Sequence, residues 1–353
     1  RNDSTLEEEG YSTELIATEA INIIKNKDLN RPLFLYIAFN APHTPIEAPN
    51  EYIEKFSYLE DKKDQVYAAN VNALDHEIGR ILTAIESEGI LEETIILFFS
   101  DNGPVFDIDP IVEVIAPNLI NARGSTAGLS GSKTYALEGG IRVPAVIWWK
   151  GVIDDAKSDQ FFFVQDVLPT LLTATNITIT EADKFDGKDK WENLITNRIV
   201  PPDNAFVGSR LISDERALFN NQWKLYSSQP QLITVSASYR LFNIIEDPFE
   251  KNDLSKVRPK ILEEMKETLT SYIERDVVGD MNPAHAYLHG DDRQGGTVLG
   301  TPWLEGNYEL NMPPSSISTF FITIWILIQA FKYYLAALLL FIVAIFYAVK
   351  KFR

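Results

Sequence analysis

Four polar side chains stand where a binding or catalytic centre could be built: His43, the adjacent Asp101 and Asn102, and Lys133. Asp101 and Asn102 close the stretch 94–103, TIILFFSDNG, whose residues 94–99 are all β-branched, aromatic or leucine. Such a run reads as a strand buried on both faces. Ligands in open α/β sheets bind beyond the carboxyl ends of the strands, so a carboxylate and an amide side by side there are candidate ligands for a hard cation. A cation at Asp101 and Asn102, with the Lys133 ammonium and the His43 imidazole near it, would make a pocket for a tetrahedral oxyanion, the histidine donating a proton to a leaving oxygen. Taken singly, each residue also has a plainer reading. Asp-Asn-Gly is a common turn composition because Asn and Gly tolerate left-handed backbone. His43 reads equally as a loop histidine, Lys133 as a surface lysine and Asp101 as a helix cap.

The elements that must position these residues follow from hydrophobic spacing. Residues 11–25 carry an apolar helical stripe behind a Ser/Thr cap, and Pro32 leads into LFLYIAFN, a continuous apolar run of strand type. Two prolines in 41–45, APHTP, hold His43 in an extended loop. A short helix over 50–56 and a long amphipathic helix over 61–89 lead to the strand at 94–99, a βαβ crossover whose strands are expected to be parallel. NARGSTAGLSGSK, 121–133, has the composition of a loop over a site. The strand-like IRVPAVIWW and a helix over 161–175 are expected to continue the parallel sheet. Short strands at 205–209, 217–227 and 239–243 and a charged helix at 259–275 read as a smaller α+β domain. The expected fold is therefore α/β, a mostly parallel central sheet flanked by helices, over 1–200. A small α+β subdomain follows over 201–276, then an extended arm over 277–316.

The two ends bear on location. Residues 317–349 are apolar apart from a few polar side chains and Lys332, and 333–349 carry no charge, at the lower limit for crossing a bilayer. We expect one transmembrane helix at 317–349 and a basic cytoplasmic tail at 350–353, which places the rest on the lumenal or extracellular side. The start, RNDSTLEEEG, has no initiator Met and no apolar leader, and reads as an internal position in a longer chain. With 32 Lys and Arg against 50 Asp and Glu, the formal charge of −18 opposes nucleic-acid binding, so an anionic substrate must be caught by local cations. There is no cysteine, hence no disulfide and no cysteine nucleophile. Asn2-Asp3-Ser4 and Asn176-Ile177-Thr178 are glycosylation sequons.

The segments PLFLYIAFNAPHTPIEAP, IILFFSDNG, GSKTYALEGGIRVPAVIWW, FVQDVLPTLL, FDGKDKW, LFNIIEDPFEKNDL and GTVLGTPW resemble, in order, those of the type I sulfatases of the alkaline-phosphatase superfamily, most closely the arylsulfatase B group. The resemblance implies that Asp101 and Asn102 ligate calcium, that Lys133 binds the sulfate oxygens, and that His43 contacts the sulfate and protonates the departing alcohol. Asp75 and His76 match no family site and read as surface or packing residues, and we assign Glu138 and Arg142, flanking EGGIR, structural roles in ordering the turn.

There are departures too. The family attacks with a formylglycine made in a C/S-x-P-x-R motif, which this sequence does not contain. Two further calcium aspartates, a lysine and a histidine of the family also have no counterpart here. Half a calcium shell without a nucleophile cannot complete covalent sulfate transfer. The expectation is a sulfuric ester hydrolase acting on a sulfated small molecule or glycan, represented by a fragment that is inactive alone and exposes an apolar edge. The rivals are a membrane-tethered binding module without activity and a phosphatase or phosphodiesterase of the same superfamily, which would call for more histidine ligands than four histidines readily supply.

Overall fold

Small residues let the first long helices pack together. Helix α1, Ser12–Lys25, presents Ala17, Ala20 and Ile24 to Ile81, Ala84 and Ile85 of α3, Lys62–Ser87. Asp61 caps α3, its side chain accepting the Lys63 N–H at 2.7 Å. The short α2, Asn50–Glu54, buries Tyr52 against Ala69 and Ala73 on another face of α3. In the computed structural model the described residues are 8–28, 30–43, 46–105, 124–178, 180, 185–210, 213–230 and 236–275, and they belong to one compact unit, Arg1–Ala284. The expected membrane segment and basic tail lie outside the described residues. Among the described residues, no helix is long and apolar enough to cross a membrane.

The segment 33–40, expected as a strand, is extended but pairs with no strand among the described residues. Its alternation is real: Leu35, Ile37 and Phe39 pack on the α1/α3 core, while Phe34 and Tyr36 point away, 82% and 78% exposed. A strand does form at the expected place after α3, as β1, Ile96–Phe99. It pairs with β2, Ala145–Trp148, in antiparallel register from Ile96↔Trp148 to Phe99↔Ala145. This corrects the parallel continuation expected through IRVPAVIWW. A continuous apolar run reports burial, whereas strand direction depends on how the long connection between two strands returns. Here the chain comes back on the side where β1 ends. The exit of β1 therefore lies beside the entrance of β2, which brings Ser100–Gly103 next to Glu138–Arg142.

Beyond β2 the helix expected over 161–175 begins as a 3-10 turn, Val164–Asp166, and continues as α4, Val167–Ala174. The C-terminal strands β3, Ala205–Arg210, β4, Ser213–Asn220, β5, Trp223–Pro230, and β6, Ser238–Asn243, make one antiparallel sheet in sequence order. The single strand expected over 217–227 is instead a hairpin, because Asn221 takes φ 51° and reverses the chain between β4 and β5. One face of this sheet buries Leu218, Leu225 and Leu241 against Met265 and Leu269 of α5, Pro259–Arg275. Each such leucine contributes on the order of 2 kcal/mol. The opposite face packs Ala217, Phe219, Tyr226 and Phe242 against Ala136 and Leu137, the residues just before the turn at Glu138.

The uncovered side of 33–40 yields a test. Replacing Phe34 and Tyr36 together by serine is expected to lower 8-anilinonaphthalene-1-sulfonate binding and aggregation while changing stability by less than about 0.5 kcal/mol, since neither side chain is packed. Dye fluorescence, sedimentation and thermal melting check this.

Candidate active site

Three backbone hydrogen bonds tie together the loops that carry Asp101, Asn102 and Lys133. The Gly103 N–H donates to Gly140 O at 2.8 Å, the Gly139 N–H to Ser130 O at 2.6 Å, and the Lys133 N–H to Pro104 O at 2.9 Å. These bonds require the three chains to approach more closely than side chains allow. A Cβ placed on Gly103 would lie 1.9 Å from Gly139 O, and one on Gly140 would lie 2.2 Å from Tyr135 O. Glycine is thus demanded here by proximity rather than by backbone angle. Immediately after Lys133, Thr134 holds φ 83°, a region β-branched residues rarely enter, and such outliers collect at functional sites.

At the end of β1, Asp101 is exposed and Asn102 half-buried. The Asp101 carboxylate accepts its neighbour's backbone N–H at 2.9 Å, and the Asn102 amide nitrogen donates to Gly103 O at 3.0 Å. A carboxylate and an amide oxygen are the donor types calcium takes, though only two of the six to eight it needs. Among the described residues no group of three His, Cys, Asp or Glu side chains is arranged to hold a metal. The residues fit part of a calcium shell.

Lys133 is half-buried, and its loop is braced at the far end by the Ser130 hydroxyl, which donates to Phe249 O at 2.7 Å. His43 sits in its own turn, with its N–H donating to Asn40 O at 2.8 Å. The structure therefore ties the loops of Asp101, Asn102 and Lys133 through one backbone knot, while His43 lies on the separate segment that follows 33–40. Asp75 and His76 lie on α3, His76 edge-on to Tyr52 at 6.0 Å between ring centroids.

Under the knot lies a group whose centre sequence reading missed. Lys224 of β5 is fully buried, its ammonium 2.8 Å from Glu138 Oε1 and 2.7 Å from Glu250 Oε1, and 4.9 Å above the Phe219 ring. Glu250 closes the ring by accepting the Glu138 N–H at 2.8 Å. Arg142, half exposed, stands 3.7 Å from Glu138 Oε2 and balances the second carboxylate. Burial, against the attraction of Lys224, pushes the Glu250 carboxyl above the usual carboxylate range, and Glu138 adds to the rise. Nearby on the same sheet face, Glu215 accepts from the Tyr226 and Ser228 hydroxyls. Burial first, then the bond to Glu215, pushes the Tyr226 hydroxyl up. Sequence periodicity carries no signal for any of this, since a lysine on a strand is ordinarily a solvent-facing residue.

The Sulfatase family model matches residues 1–177, half of the chain. The chain belongs to the sulfatase family. An uncharacterised sulfatase of Schizosaccharomyces pombe is 28% identical over 338 residues, covering 73% of this sulfatase chain and 60% of the relative. Arylsulfatase J of Mus musculus is 27% identical, covering 83% of this chain and 53% of the relative. Among solved structures, Ps i-CgsB in complex with k-i-k-neocarrahexaose superposes with a TM-score of 0.63 at 27% identity, over 77% of this chain and 56% of that one. The likeness confirms the expected sulfatase α/β fold. This chain spans little more than half the length of the proteins it resembles.

Two outcomes follow for the knot and the buried lysine. Gly103→Ala is expected to cost about 3 kcal/mol, because the clashing atom is backbone, a fall of roughly 6–12 °C in Tm. Glu250 carries a raised folded-state pKa, so the folded chain holds that proton more tightly than the unfolded one. Its contribution to stability is fully present at acid pH and is lost as pH rises through the folded value. Melting curves between pH 4 and 8 should show this loss in the parent chain and its disappearance in Glu250→Gln.

Proposed function

We propose that this chain forms part of a calcium-dependent sulfatase that hydrolyses sulfate esters of sugars or aromatic alcohols. The observation that carries the reading is the backbone knot that gathers Asp101, Asn102 and Lys133, residues whose chemistry suits a sulfate group and its counter-cation, in a chain of the sulfatase family. Lys133 would neutralise charge on the non-bridging sulfate oxygens. As the bond from sulfur to the bridging oxygen breaks, His43 would give that oxygen its proton, releasing a neutral alcohol. Bound calcium would supply further charge neutralisation at the Asp101 and Asn102 oxygens. These 353 residues lack C/S-x-P-x-R, so on this reading the attacking nucleophile would be contributed from outside them. A sugar substrate is supported by the oligosaccharide in the Ps i-CgsB complex. The apolar run 317–349 supports a membrane anchor with the catalytic part on the lumenal or extracellular side, where the Asn176 sequon would be glycosylated.

In the full-length gene product, Asp101→Ala and Lys133→Ala are each expected to lower kcat/KM on 4-nitrocatechol sulfate or a sulfated disaccharide by about 100-fold or more. Full activity in both variants overturns the assignment. The missing motif favours one second reading, a sulfated-glycan binding protein without turnover. Saturable binding of the disaccharide with no release of sulfate would select it.

A further inference from the structure

The buried ion cluster under the knot lies outside the chemistry described above, yet every one of its bonds ends on a residue that shapes the site. Lys224 belongs to the C-terminal sheet, Glu138 opens the turn in which Gly140 accepts from Gly103 and Gly139 donates to Ser130, and Glu250 follows the Phe249 carbonyl that anchors Ser130. Glu250 itself holds φ 56°, an unfavourable conformation for a non-glycine residue, which aims its carboxylate at both the Lys224 ammonium and the Glu138 N–H. No covalent continuity joins these three positions locally. The Glu138–Lys224 and Glu138–Glu250 contacts span 86 and 112 residues of sequence. A lysine with no solvent access and two carboxylate partners is tolerated only where the geometry satisfies it, so its position and theirs are mutually fixed.

We propose that Lys224 is a positioning residue of this sulfatase chain: through Glu138 and Glu250 it holds the Asp101–Gly103 turn and the Ser130–Lys133 loop at the spacing that presents the cation ligands and the sulfate-binding lysine to one substrate. The C-terminal sheet is thereby part of the site's construction, although it places no group on the sulfate. This assignment rests on reading Lys133 and Asp101 as sulfate and cation groups, but its test requires no substrate, so the two can fail separately.

The test is hydrogen–deuterium exchange of the full chain in mild detergent, followed by mass spectrometry of peptides spanning 100–105, 128–141 and 213–230. In Lys224→Met the first two regions, which hold the Gly103, Lys133 and Gly139 amides, should exchange at least 10-fold faster, with the β4–β5 ladder within about threefold of the parent. Lys224→Arg, which keeps the charge, should restore slow exchange in the loops. Should Lys224→Met not fold, Glu250→Ala removes only the acceptor of the Glu138 N–H and its ion pair, and the same loop-confined acceleration is expected. Uniform acceleration across all three regions would reduce the cluster to general stability, and unchanged loop exchange would remove its positioning role. Either result overturns the proposal.

Discussion

The arrangement depends on a single buried ammonium. Lys224 has no exposure, and its charge is matched inside the protein by Glu138 and Glu250, with Arg142 making up the balance at the edge. Taking such groups out of water costs several kcal/mol per ion, and removing one partner from a buried pair typically costs 3–5 kcal/mol because the other charge is stranded. A cluster of this kind adds little net stability compared with an apolar core. It does discriminate strongly between arrangements, since any displacement leaves a buried charge unmatched. The consequence is that the turn at Glu138 has one acceptable position relative to β5.

From that fixed turn the remainder of the site follows by backbone contact. Gly139 and Gly140 are bare enough for Ser130 and Gly103 to hydrogen-bond directly to their backbone, and the latter bond sets where β1 ends and hence where Asp101 and Asn102 stand. Pro104 then receives the Lys133 N–H. The apolar packing of Ala136 and Leu137 on Ala217, Phe219 and Phe242 supplies the bulk burial that the ion cluster lacks. Hydrophobic contact thus brings the two parts of the unit together, and the charges select their register.

Electrostatics divides between the two levels of the site. At the surface, Asp101 is exposed and Lys133 half-buried, in a chain of formal charge −18, so capture of a sulfate under the proposed function would depend on local placement of a few cations rather than on a favourable overall field. Below, the low-dielectric interior magnifies each pairing, and the Glu250 carboxyl responds by favouring its proton. Acid conditions therefore relieve the buried charge on Glu250.

Much of this protein was legible before folding was considered. The apolar stripes of 11–25, 61–89 and 259–275 became α1, α3 and α5, and the family resemblance put forward Asp101, Asn102, Lys133 and His43 as the site residues proposed above. Local spacing suffices wherever one element buries one face. It did not suffice for strand direction, where β2 returned antiparallel to β1, nor for the hairpin at Asn221, where one left-handed residue divided an apolar run. Nor could it identify Lys224, whose neighbours in β5 match those of any exposed strand lysine. What the sequence by itself determined was which segments are helical, which are apolar and which side chains could do chemistry, all properties of adjacent residues. Which loops meet, and which charge is sealed beneath them, was decided only by tertiary structure, because partners 86 and 112 residues apart acquire their energy from burial that neither possesses alone.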